Sequence, residues 1–96
     1  MTSFEDYLTN AEALAQEVVN VWGIHTQAGN ADSLTPEFMD VFDKACRYQE
    51  AKQPADFYRK RNALPTDEGQ RAAQTEETAR RVFIEAYKPW VEKHAS

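Results

Sequence analysis

Apolar residues return every three or four positions along three stretches of this 96-residue chain, with polar residues between them. In the first stretch Phe4, Leu8, Ala11, Ala15, Val18 and Trp22 form one seam; Tyr7, Leu14 and Val21 flank it, and Val19 lies on its other side. At 100° per residue this stripe is about 160° wide, enough to touch more than one neighbouring helix. Ser3 and Asp6 have the spacing of an N-terminal capping box, and Gly23 stands where a left-handed residue would stop a helix. The pattern predicts a helix over 4–22. A long loop over 23–34 follows, marked by the turn formers Gly29, Asn30, Asp32 and Ser33.

The second stretch opens with Thr35 as N-cap, Pro36 at the first helical position and Glu37 in the first turn. Phe38, Val41, Phe42, Ala45, Cys46 and Tyr48 take one half of its wheel, and charged residues take the other. Proline removes an amide donor and clashes with the preceding turn, so Pro54 predicts a break after a helix over 36–52. A short helix over 55–62, anchored by Phe57 and Tyr58 and closed by Leu64 and Pro65, is expected next. The last helix is expected over 67–88, starting at Thr66 with Asp67 and Glu68 in its first turn and ending at Pro89. Gly69 weakens that start by about 1 kcal/mol relative to alanine, which makes Thr75 an alternative starting point. Its inward stripe reads Ala72, Thr75, Ala79, Val82, Phe83, Ala86, Tyr87 and Trp90. Ile84 lies about 120° from that stripe's centre and, with Val91 seven residues on and Ala73 eleven residues back, forms a thin apolar ridge outside the expected core.

No alternating run of β-branched residues stands between turn formers. The fold class is therefore all-α: a small three-helix bundle with an additional short helix between the second and last long helices, in a single domain over 1–96. Trp22, Phe42 and Phe83 are expected in one core. Size scaling allows about 65% of the chain's surface to be buried, which supports that core without metal or disulfide staples. The single cysteine leaves no internal disulfide and no cysteine-based zinc site. With no apolar run near 18 residues and no leader-like N-terminus, the expected location is the cytoplasm, or the host cytoplasm for a phage-encoded protein.

Charge changes this picture most. The net charge is −5, but residues 1–43 carry eight acids and no Lys or Arg, while residues 44–96 carry eleven bases and eight acids. Six of those bases follow an acid by four residues, the favoured order for a helical pair: Asp40–Lys44, Asp43–Arg47, Asp56–Lys60, Asp67–Arg71, Glu76–Arg80 and Glu77–Arg81. Arg59 and Lys88 follow acids, Asp56 and Glu85, by three residues, and Lys52, Arg61 and Lys93 have no acid at either spacing. Glu5, Glu12, Asp32, Glu37, Asp40 and Asp43 are the candidate partner-binding residues, with Ile84 and Val91 as a secondary interface for a partner or a second copy. The competing account is that the acids face the bases of the second half and neutralise them.

Site chemistry is sparse. Cys46, at the edge of an apolar stripe, reads as a small buried hydrophobe, and His25 as a loop residue. No metal-ligand spacing, glycine-rich phosphate loop or shielded carboxylate pair stands out, so no cofactor or metal is expected. Arg59-Lys60-Arg61 is a basic run beside Tyr58, yet a pI near 4.9 argues against direct nucleic-acid binding. The expected function is a non-enzymatic protein-interaction module (an adaptor, accessory subunit or inhibitor) binding a protein partner, a basic one in particular, through an acidic surface. The alternatives are an acidic phage or mobile-element inhibitor, such as an anti-CRISPR, that occludes a basic nucleic-acid groove; a small subunit of an enzyme using Cys46 or His25; and a nucleic-acid binder using Arg59–Arg61.

Overall fold

A computed structural model describes residues 2–62 and 65–94, with backbone only at Ala31 and His94. Its elements are α1 (Phe4–Thr9), α2 (Ala11–Gln27), a single 3₁₀ turn (Ala31–Ser33), α3 (Pro36–Lys60) and α4 (Asp67–His94). Among the described residues there is no strand, so the chain is all-α. The expected closing residue Leu64 lies outside the described residues.

The caps that start α1, α3 and α4 are those the sequence points to. The Ser3 hydroxyl accepts from the Asp6 amide at 3.1 Å, and the Asp6 carboxylate accepts from the Ser3 amide at 3.4 Å, completing the capping box. Thr35 caps α3 through the Phe38 amide at 3.0 Å, and Thr66 caps α4 through the Gly69 amide at 3.1 Å. Gly69 is buried and α4 runs on without restarting at Thr75.

The interruptions fall elsewhere than expected. The first helix breaks at Asn10, whose side-chain amide donates to its own helix at the Asp6 carbonyl, 3.0 Å away, while Thr9 does the same to Glu5. Such local bonds compete with the helical ladder. The helix then passes through Gly23, where even a Cβ would meet nothing within 4 Å. It stops six residues later at Gly29, which has φ +74°. Asn30 donates to the His25 carbonyl at 2.8 Å and Gly29 to Thr26 at 3.2 Å, the double bond pattern of a Schellman cap. The expected loop over 23–34 is thereby shortened at its start, and Ile24 is an exposed helical residue rather than a capping contact.

Pro54 does not break α3, so the separate short helix over 55–62 is the last part of one 25-residue helix. Pro54 and Glu50 are both exposed, which leaves water to satisfy the carbonyl that the proline strands. Tyr48 before it and Ala55 after it are both buried, so packing holds the two segments in line. Pro89 is likewise exposed, and α4 continues past it to His94 with Trp90 and Val91 packed against the core.

That core joins Leu8, Ala11, Ala15 and Val18 of the first two helices to Phe38, Val41, Ala45 and Tyr48 of α3 and Phe83, Ile84 and Tyr87 of α4. Aromatic contacts tie the helices together: Trp22 stacks on Phe42 at 4.8 Å, Phe38 meets Trp90 at 5.4 Å and Tyr7 meets Tyr87 edge-on at 5.7 Å. Trp22, Phe42 and Phe83 belong to this one core, although Phe83 stacks on Tyr48 rather than on the other two. Ile84 corrects the expected stripe of α4. It is fully buried, and Val82, assigned inward, is 39% exposed. The buried face of α4 is rotated toward Ile84 because α1 and α2 pack against it as well as α3. Of the expected ridge, Ile84 is core and Val91 is half-buried against it, so Ile84 offers no free surface.

Candidate functional site

The candidate site is the outer surface, and its charge is built helix by helix. Of the six acids singled out, four are engaged. Glu12 reaches Lys52 of α3 at 3.3 Å, Glu37 reaches Lys93 of α4 at 3.4 Å, and Asp40 and Asp43 bind Lys44 and Arg47 one turn on at 2.8 and 3.0 Å. Neutralisation across the fold therefore occurs, but through Lys52 and Lys93, two bases with no acid three or four residues before them. Glu5 and Asp32 are exposed and form no ion pair among the described residues. Glu17, also exposed, joins them, as does Asp6 apart from its capping role. Residues 1–33 thus hold five acids and no Lys or Arg, and among the described residues only Glu12 is matched by a cation.

Lys52 is the centre of a polar seam between α2 and α3. Its ammonium lies 2.9 Å from Asp56 and 3.3 Å from Glu12. The hydrogen bond with Asp56 raises the lysine above its usual range and lowers the aspartate below its own. Asp56 also holds Arg59, which reaches across to Glu76 of α4 at 3.1 Å. Beside the seam lies an open groove of about 610 Å³ lined by Asn10, Gln16, Gln49, Gln53 and Lys52. Gln16 accepts from Gln49 at 3.3 Å and donates to Asn20 at 2.9 Å, which links α2 to α3 through amides.

The basic run is largely occupied. Arg59 has its two carboxylates, and the Arg61 guanidinium sits 4.1 Å above the ring of Phe57 as a cation–π contact. Neither Lys60 nor Arg61 forms an ion pair among the described residues, and Arg61 has its ring contact instead.

The residues with nucleophile or switch chemistry are apart from these charges. Cys46 is half-buried; burial, then Glu50 and Asp43, push its thiol above the ordinary value and disfavour the reactive thiolate. His25 is part-buried, its Nδ1 bonded to the Val21 carbonyl of its own helix at 3.1 Å, beside a shallow cleft with Leu34, Phe38 and Trp90. It is a helical residue, not a loop one. Among the described residues no three His, Cys, Asp or Glu side chains converge as a metal site. No helix is long and apolar enough to cross a membrane.

A second groove, of about 570 Å³, lies between α3 and α4 and is edged by Lys44, Arg47 and Arg71. Sequence reasoning passed over it because Arg71 was assigned to Asp67, a pair that does not form, and because Val82 was assigned to the core. The i, i+4 rule gives proximity along one helix and says nothing of which bases two helices bring together. The chain matches no protein-family model, no curated protein and no solved structure.

Proposed function

We propose that the protein is an interaction module that meets a basic protein partner through the acidic surface of α1, α2 and the 3₁₀ turn, carried on a three-helix scaffold in which α1 and α2 act as one interrupted arm. The observation that carries this reading is the charge left over after internal pairing: Glu5, Asp6, Glu17 and Asp32 hold carboxylates in solvent with no cation in ion-pair reach among the described residues. Uncompensated acids of one sign raise the encounter rate with a basic surface and repel acidic competitors. The partner-facing set is accordingly Glu5, Glu17 and Asp32, with Glu12, Glu37, Asp40 and Asp43 contributing less because each already has a base.

Affinity capture from the source cell identifies the partner, and stopped-flow association then tests the reading. The Glu5→Lys, Glu17→Lys, Asp32→Lys variant should associate more slowly than wild type, and the wild-type on-rate should fall as salt rises. The Asp40→Asn variant, which touches a paired acid, should change the on-rate less. An on-rate indifferent to salt and to charge reversal would overturn the acidic-surface reading.

A further inference from the structure

We propose that the groove between α3 and α4 is a docking site for an acidic segment of a partner protein, independent of the acidic surface on α1 and α2. Its edge carries Lys44 and Arg47 from α3 and Arg71 from α4, and no carboxylate lines it. Lys44 and Arg47 lean on Asp40 and Asp43, whereas Arg71 is exposed and forms no ion pair among the described residues. Two hydroxyls, Thr75 and Thr78, sit one turn apart along the same face of α4. The floor is aliphatic: Ala79 is half-buried and Val82 is 39% exposed. Cations above an aliphatic floor complement a chain that alternates carboxylates with aliphatic side chains.

The dimensions favour a peptide over a free anion. From Arg71 to Val82 the helix advances about 16 Å at 1.5 Å per residue, the length of about five extended residues at 3.3 Å each. They also favour a peptide over nucleic acid. No aromatic side chain lines the groove, so the base–ring stacking that carries much of single-strand affinity has no partner there.

The test uses the full chain and a fluorescein-labelled peptide of alternating Glu and Leu, read by anisotropy, with a Lys–Leu peptide and a single-stranded oligothymidine as comparators. The Glu–Leu peptide should bind and weaken as salt rises. Arg71→Glu and Val82→Asp, both at exposed positions and checked for retained helicity by circular dichroism, should each weaken it by about tenfold or more, a loss of the size expected when one well-placed contact is removed. Lys60→Glu, which reverses an exposed base outside the groove, should change affinity by less than about twofold, as screening of separated surface charges implies. The Glu5→Lys, Glu17→Lys, Asp32→Lys variant should retain the peptide, which keeps this test separate from that of the acidic surface. Absence of binding, equal losses for Lys60→Glu and Arg71→Glu, or tighter binding of the oligothymidine would each overturn the proposal, the last in favour of a nucleic-acid ligand.

Discussion

The arm formed by α1 and α2 and the pair formed by α3 and α4 handle interruption and charge in opposite ways. The arm breaks at Asn10, a residue many helices tolerate, while the pair carries two prolines inside helices of 25 and 28 residues. The arm buries Leu8, Ala11, Ala15 and Val18, mostly small side chains, whereas the pair buries Tyr48, Phe83, Ile84 and Tyr87. Among the described residues the arm has one ion pair, to Lys52, and the pair is laced by Arg59–Glu76 between its helices and by local pairs along each. The difference teaches that a breaker residue is one term among several. A proline on the wet side of a helix loses one hydrogen bond, and buried packing on either side outweighs it. An asparagine in an arm whose buried residues are mostly small meets less resistance, and its side chain takes the carbonyl.

The sharpest way to break this contrast is to hollow out the pair. Phe83→Ala should destabilise by about 3–5 kcal/mol and Ile84→Ala by about 2–5 kcal/mol in urea unfolding. Val82→Ala should cost less than about 1 kcal/mol, as expected for a partly exposed position. Equal costs at 82 and 84 would show that the buried face of α4 is placed wrongly. On the arm the limit is space rather than loss: Ala15→Leu forces extra methylenes between α2 and α3 and should cost about 1–3 kcal/mol. If it costs nothing, the arm packs more loosely than its full burial of Ala15 implies.

The interruptions themselves come next. Pro54→Ala restores an amide in an exposed turn and should stabilise by about 1–2 kcal/mol, after the entropy a proline removes from the unfolded chain is set against it. A loss of stability would mean that Pro54 shapes α3 in a way its neighbours depend on.

The smallest effect concerns the seam that joins arm to pair, read as the stability difference between wild type and Lys52→Met across pH. Asp56 is lowered in the fold, so its contribution is present above about pH 3.9 and is lost as pH falls through the folded value. Lys52 is raised, so its contribution is complete below about pH 10.4 and is lost as pH rises through the folded value. The gap should be steady between those limits and close at both ends. Tyr87, raised chiefly by burial, adds a loss at alkaline pH that both proteins share. A gap that persists into strong acid would assign the effect of Lys52 to packing rather than to charge.

Sequence alone determined the starts of α1, α3 and α4 and the class of the fold. Ser3, Thr35 and Thr66 cap through bonds to amides three residues on, a distance within which no tertiary contact intervenes. The seams of the first helices and α3 were legible for the same reason, since their period is set by one helix at a time. The acidity of residues 1–43 was legible as well, because it is a matter of composition. Tertiary structure decided the rest. It carried α3 and α4 through Pro54 and Pro89 by packing on both sides of each proline. It turned α4 so that Ile84 rather than Val82 is buried, because contacts from α1, α2 and α3 together define the inward direction of a helix they surround. It also chose the partners of Glu12 and Glu37, and it brought Arg71 beside Lys44 and Arg47. Which charges meet across two helices depends on their register and rotation, and neither is written in the period of either helix alone.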